Sequence, residues 1–202
     1  DYYASRGLGD VYKRQALITQ REGVNQYGDP VDILESGYVR FYELLGFIPK
    51  TISNFTKNVE MIFNKKRDLL IVVGGGSLPP QLYDRPHEDE LQPNRDRMEE
   101  QVIHYCVAHG IPIIATCRGM QYINVMFGGK LWYHPKLPVN RTRGVDHQVW
   151  LVKEQRNIWV NNYHSDCIYE EGLASCFEPL AIDRENHVVE AYGCLLYTSD
   201  AA

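Results

Sequence analysis

Leu69-Leu70-Ile71-Val72-Val73 is an unbroken apolar run, bounded by Asp68 on one side and Gly74-Gly75-Gly76 on the other. A strand with one wet face alternates polar and apolar side chains. A continuous run requires cover on both faces, the mark of a central strand in a parallel sheet. Shorter apolar runs at residues 16–19, 47–52 and 111–115 are expected to be its neighbours. Between them the apolar spacing turns helical. Helices are expected over residues 31–45, with a stripe of Val31, Leu34, Tyr38, Phe41 and Leu45, and over 55–65, with Val59, Ile62 and Phe63 inward. Two more are expected over 95–109, with Met98, Val102 and Cys106 inward, and over 118–127. Strands alternating with helices indicate βαβ units. After residue 127 the pattern changes to β-rich pieces near 149–152, 158–160 and 188–191, set in polar sequence. The expectation is one α/β domain, a three-layer sandwich around a mostly parallel sheet.

Composition narrows the class of function. The 202 residues carry a formal net charge of −5, with 44% hydrophobic and 23% charged residues. That balance is ordinary for a soluble globular chain and argues against one that coats nucleic acid or an anionic membrane. No run approaches the roughly 18 apolar residues of a membrane span. Five cysteines at irregular spacing do not form a disulfide framework, and they suggest a reducing cytoplasm.

The ends differ from the middle. Residues 1–15 show no apolar period, and residues 194–202 run from a strand pattern into small polar residues. Both resemble read-through of sequencing adapters, so the native portion is expected to span 16–193; a natural floppy terminus is the alternative.

Chemistry is expected at one turn. Ile113-Ile114-Ala115 leads through Thr116 directly to Cys117, and Arg118-Gly119-Met120-Gln121 opens the next helix. A nucleophile on so sharp a turn stands clear of the sheet edge, and small residues at Ala115 and Gly119 leave room for it. The helix N-terminus favours thiolate over thiol, and the Arg118 amide is placed to donate to a developing oxyanion. The plain alternative is a small buried apolar cysteine. The glycines 74–76 after the central run let backbone N–H groups approach a ligand, although no Gly-Lys-Ser/Thr follows as in a phosphate loop. Cys106, Cys167 and Cys176 lack metal-ligand spacing, and His104 and His109 read as ordinary helix residues. His147 lines a pocket or is a plain strand histidine. The acidic string His87-Glu88-Asp89-Glu90 reads as a solvated loop.

Thr116-Cys117-Arg118-Gly119-Met120-Gln121, with residues 73–83 (VGGGSLPPQLY), resembles the gamma-glutamyl hydrolases of the class I glutamine amidotransferase-like superfamily, gamma-glutamyl-gamma-aminobutyrate hydrolases included. Ile18-Thr19-Gln20-Arg21 is similar to the family's opening strand and loop. Val160-Asn161-Asn162-Tyr163-His164 is similar to its Val-Asn-Ser-x-His segment, and Val189-Glu190-Ala191 to its Glu-Ala strand. Ala115, Ser77, Asn162 and Ser165 depart from the usual Gly, Asp, Ser and second His. The resemblance implies a flavodoxin-like fold and hydrolysis of a small-molecule gamma-glutamyl amide through a thioester on Cys117. It further implies an oxyanion hole from Gly75 and Arg118, and substrate contacts from Gly76, Gln121, His164 and Glu190. It implies no metal, cofactor, nucleic acid or membrane partner, and allows a homo-oligomer.

The family's base and its orienting carboxylate lie in a His-Pro-Glu motif beyond the Glu-Ala strand. Here the one His-Pro, His134-Pro135, is followed by Lys136 and comes too early. The fold is therefore expected to be C-terminally truncated, with negligible turnover by this chain. An internal set Cys117–His164–Glu190 is the substitute. Two other functions remain in view: a glutaminase domain feeding ammonia to a synthase, and a binding module that lost its base.

Overall fold

A computed structural model describes residues 14–63, 68–83, 91–133 and 144–194. The strings His87–Glu90 and His134-Pro135 lie outside the described residues. Backbone contacts gather the chain into two compact units, residues 1–74 with 92–116 and residues 75–91 with 117–202.

The first unit is built on the apolar run. Strands β1 (Gln15–Ile18), β2 (Arg21–Val24), β3 (Pro30–Ile33), β4 (Ile48–Thr51), β5 (Asp68–Val72) and β6 (Ile113–Ala115) accompany helices α1 (Ser36–Leu44) and α2 (Pro93–Ala108). Four of the strands form a parallel sheet in the order β4-β1-β5-β6, with β5 hydrogen-bonded on both sides. On one face Ala16, Ile18, Leu69, Ile71 and Val73 close around Tyr42 of α1, with Leu34, Tyr38 and Phe47 packed against them. The opposite face belongs to α2: the Thr19 hydroxyl donates to the Glu99 carboxylate at 2.8 Å, and Met98, Val102, Ile103 and Cys106 are fully buried. Three layers result, as the alternating pattern predicts.

Three local expectations need correction. The helix expected from residue 31 begins only at Ser36, because Val31 and Ile33 pair in a β2–β3 hairpin instead. The Asn25 side chain accepts the N–H groups of Tyr27 and Asp29, the turn chemistry that closes such a hairpin. The inward stripe is Leu34, Tyr38 and Tyr42, while Phe41 and Leu45 are exposed. Of the helix expected over 55–65, the described residues 55–63 form a single 3₁₀ turn, Val59–Met61, after a stretch anchored by buried Asn54 donating to Asp32 at 2.7 Å. Finally, the apolar run at 111–115 suggests a buried strand, but among the described residues β6 is the last strand of its sheet, and Ile114 is 47% exposed.

The second unit carries α3 (Arg118–Met126), β7 (Trp132–Tyr133), β8 (His147–Leu151), β9 (Arg156–Val160), β10 (Asp166–Cys167), β11 (Phe177–Asp183) and β12 (Val188–Cys194). Its main sheet is antiparallel, in the order β12-β11-β8-β9. The sequence pattern hides β11 because Pro179 interrupts it. The ladder with β12 becomes irregular just past that proline, where a missing N–H is tolerated. The pattern does mark α3, with bounds within one residue of those expected. Among the described residues, no helix is long and apolar enough to cross a membrane.

The difference between centre and edge is measurable. Ile71→Ala should cost about 2–5 kcal/mol, as cavity-forming changes in a closed core do. Ile114→Ala should stay within about 0.5 kcal/mol. Denaturant midpoints of the two variants check the order, and an equal loss would contradict the edge position of β6.

Candidate active site

Cys117 occupies a backbone conformation that side chains avoid. With φ 52° and ψ −115° it stands between β6 and the first turn of α3. The other described non-glycine residues at positive φ, Gln155 and His187, end hairpin turns, where such angles are routine. A strained residue between strand and helix costs about 1–3 kcal/mol and persists where a site needs its side chain presented. Gly119 is buried in the first turn of α3.

The glycine turn lies in the same unit from Gly75 onward. Gly75 and Gly76 have φ 78° and 77°, a left-handed pair open to glycine and strained for most other residues. The buried Arg118 side chain reaches back to this segment, donating from Nε to the Ser77 carbonyl at 3.4 Å, and its guanidinium lies 5.6 Å from the Tyr122 ring centre. Helix start and glycine turn are thereby tied together by one side chain.

Three of the four residues expected to contact substrate, Gln121, His164 and Glu190, fall into one polar network, while Gly76 lies in the glycine turn. Gln121 Nε2 donates to the Asp166 carbonyl at 2.8 Å, and His164 Nδ1 donates to the same oxygen at 3.0 Å. His164 Nε2 lies 3.3 Å from Glu190 Oε2, while Glu190 Oε1 lies 3.3 Å from His147 Nε2. One carboxylate on β12 is thus gripped by two imidazoles. Burial works to lower the His164 pKa, but contacts with Cys167 and the Glu190 carboxylate outweigh it, and the ring is pushed up to about 10. His164 therefore carries its proton at neutral pH.

That arrangement bears on the substitute triad. His164 spends both ring nitrogens on Asp166 and Glu190, and among the described residues no hydrogen bond joins it to the Cys117 thiol. Sequence reasoning misses Asp166, whose carbonyl joins Gln121 to His164 and whose carboxylate accepts from the Tyr83 hydroxyl at 2.9 Å. Its position two residues after His164 is the only available signal, because a backbone carbonyl carries no motif.

A metal has a geometric opening but no evident need. His147, Asp183 and Glu190 offer ligand atoms within 4.8 Å of one another. Yet Asp183 accepts the N–H groups of Glu185 and Asn186 and the Asn186 side chain, which accounts for its burial as a turn anchor. A cavity of about 240 Å³ beside it is lined by His147, Trp150, Asn157 and Arg184 among others, and Cys117 is not part of that lining.

Known proteins resemble this chain over nearly its whole described length. The Peptidase C26 model matches residues 15–196. Protein NtpR of Enterococcus hirae is 32% identical over 163 residues, 71% of this chain and 68% of its own length. Gamma-glutamyl-gamma-aminobutyrate hydrolase PuuD of Escherichia coli K12 is 27% identical over 129 residues, so the match spans 52% of this chain and about half, 51%, of that hydrolase. A glutamine amidotransferase from Thermotoga maritima superimposes with TM-score 0.55 at 15% identity, over 91% of this chain and 75% of that one. A glutamine amidotransferase from Methylobacillus flagellatus gives 0.54 at 14% identity, over 90% and 66%. By fold and by sequence, the chain belongs to the Peptidase C26 family of the class I glutamine amidotransferase-like superfamily.

Proposed function

We propose that the chain carries the nucleophile of a cysteine-dependent hydrolase that cleaves gamma-glutamyl amides. Family membership, with hydrolases among the relatives, supports the broader assignment of a glutamine amidotransferase-like hydrolase. The observation that carries the finer one is the strained Cys117 at the head of α3. In this reading the Cys117 sulfur attacks the gamma-carbonyl carbon, and the carbonyl electron pair moves onto oxygen. The N–H groups of Arg118 and Gly75 hold that oxyanion. Collapse expels the amine, which takes up a proton, and leaves a gamma-glutamyl thioester that water hydrolyses through a second oxyanion. Gly76, Gln121, His164 and Glu190 receive the glutamyl group. A ligand bearing a carboxylate and an ammonium would meet this pair by exchanging the His164–Glu190 contact for contacts of its own.

The reading includes negligible turnover by this chain, since its 202 residues contain no His-Pro-Glu motif to supply the base, and proton transfer contributes about 10²–10⁴-fold. A gamma-glutamyl chloromethyl ketone should alkylate Cys117 once, by displacement of chloride, as read by intact and peptide mass spectrometry. Cys106 should stay unmodified, because burial first and the nearby Asp68 second push its thiol up to about 12. Labelling that survives Cys117→Ser would end the proposal. Steady hydrolysis of a gamma-glutamyl anilide, abolished by His164→Ala, would restore the internal triad instead.

His164 also gives a pH signature. A folded-state pKa raised above the ordinary 6.5 means that its ion pair stabilises the fold in full below about pH 6.5, and that this contribution is lost as pH rises through about 10. The stability difference between the parent and His164→Asn should shrink across that window. A difference that stays constant from about pH 6 to about pH 10 would contradict a protonated His164.

A further inference from the structure

The glycine turn is held from outside by a buried guanidinium. Arg95 on α2 is fully buried, and its Nη2 donates to the carbonyls of Val73 at 2.5 Å and Gly74 at 3.2 Å. The rest of the fork is committed as well: Nε donates to Glu99 at 2.7 Å and Nη1 to Gln92 Oε1 at 2.9 Å. Glu99 is oriented by the Thr19 hydroxyl, whose oxygen accepts the Val73 N–H at 3.2 Å. The Gly74 N–H donates to the Tyr38 hydroxyl, also at 3.2 Å. Both polar groups of Gly74 are therefore pinned by side chains.

The consequence passes through one covalent plane. No peptide bond among the described residues is cis, so the Gly74 carbonyl and the Gly75 N–H point in opposite directions from a single rigid unit. A peptide between two glycines is also the easiest in a chain to flip, because neither neighbour has a Cβ to oppose the rotation. We propose that Arg95 is a positioning residue whose guanidinium, by holding the Gly74 carbonyl, keeps the Gly75 N–H in the orientation of an oxyanion donor. This rests on the reading of Cys117 and Gly75 given above. An arginine suits the task because its planar fork serves several acceptors at once, where a lysine is a single point charge.

The test separates oxyanion stabilisation from the nucleophile. The probe is ¹³C-labelled 5-oxopentanoate, an aldehyde counterpart of the glutamyl group that lacks the amine needed to close into an imine. The Cys117 thiol gives its proton to the buffer as its sulfur adds to the carbonyl carbon, and the π pair moves to oxygen, which stays an oxyanion for the N–H groups to hold; nothing else leaves and nothing is oxidised. Adduct formation is followed by NMR, and iodoacetamide alkylation of Cys117, which develops no oxyanion, is the control. The principal variant is Arg95→Met/Glu99→Leu, since replacing both members of a buried pair leaves no unpaired charge, and a variant is compared only where its circular dichroism and thermal midpoint show it folded. Arg95→Lys is the second. By the usual loss on removing an oxyanion donor, adduct affinity should fall about 100-fold in the double variant. It should fall less in the lysine variant, with alkylation within about twofold of the parent in both. Folded variants that bind the aldehyde as tightly as the parent, or that lose both reactivities in parallel, would overturn the role of Arg95. A parent that forms no Cys117-dependent adduct would overturn the underlying reading and this inference with it.

Discussion

Cover on both faces of β5 is the constraint from which the first unit follows. Every residue from Leu70 to Val73 is fully buried, so helices must lie above and below, and the strands beside it run parallel to it. Burial also has an electrostatic side. The strand ends in carbonyls that have to be met away from water, and Arg95 meets those of Val73 and Gly74. An unmet buried carbonyl would cost about 1–3 kcal/mol, so a charged donor in that position is needed by the sheet itself.

Where a single physical term dominates, the sequence is legible. The run at 69–73, the amphipathic helix after Cys117 and the Met98–Val102–Cys106 stripe are all decided by apolar burial, and their positions follow from spacing alone. Where side-chain hydrogen bonds compete with propensity, spacing misleads. Asn25 turns a helical-looking stretch into a hairpin, and Asn54 anchors a turn where spacing predicts a helix. Pro179 conceals a strand because an irregular ladder accommodates it.

The candidate site divides in the same way. Cys117 is visible because a strand, a small residue and a helix converge on it, and its unusual φ is the backbone counterpart of that pattern. Gln121, His164 and Glu190 are visible through resemblance, but the oxygen joining the first two belongs to the Asp166 backbone. By spacing, Arg95 and Glu99 share the face of α2 that carries Met98, Val102 and Cys106, although charged side chains are seldom fully buried. Only tertiary structure reveals that the two pair with each other there, with the charged groups 2.7 Å apart and both completely buried.

The hairpin that bears Glu190 has a length that cannot drift. Only Val188 and Val189 separate Glu190 from the 184–187 turn, and Asp183 clamps that turn through the N–H groups of Glu185 and Asn186. Side chains on a strand alternate faces, so a one-residue insertion or deletion there would carry Glu190 to the far side of the sheet, away from both histidines. The neighbouring turn at 152–155 precedes no member of the network so closely. Length variation is therefore tolerable at 152–155, while the two-residue spacing from the 184–187 turn to Glu190 is as much a signature of the site as the identity of its residues.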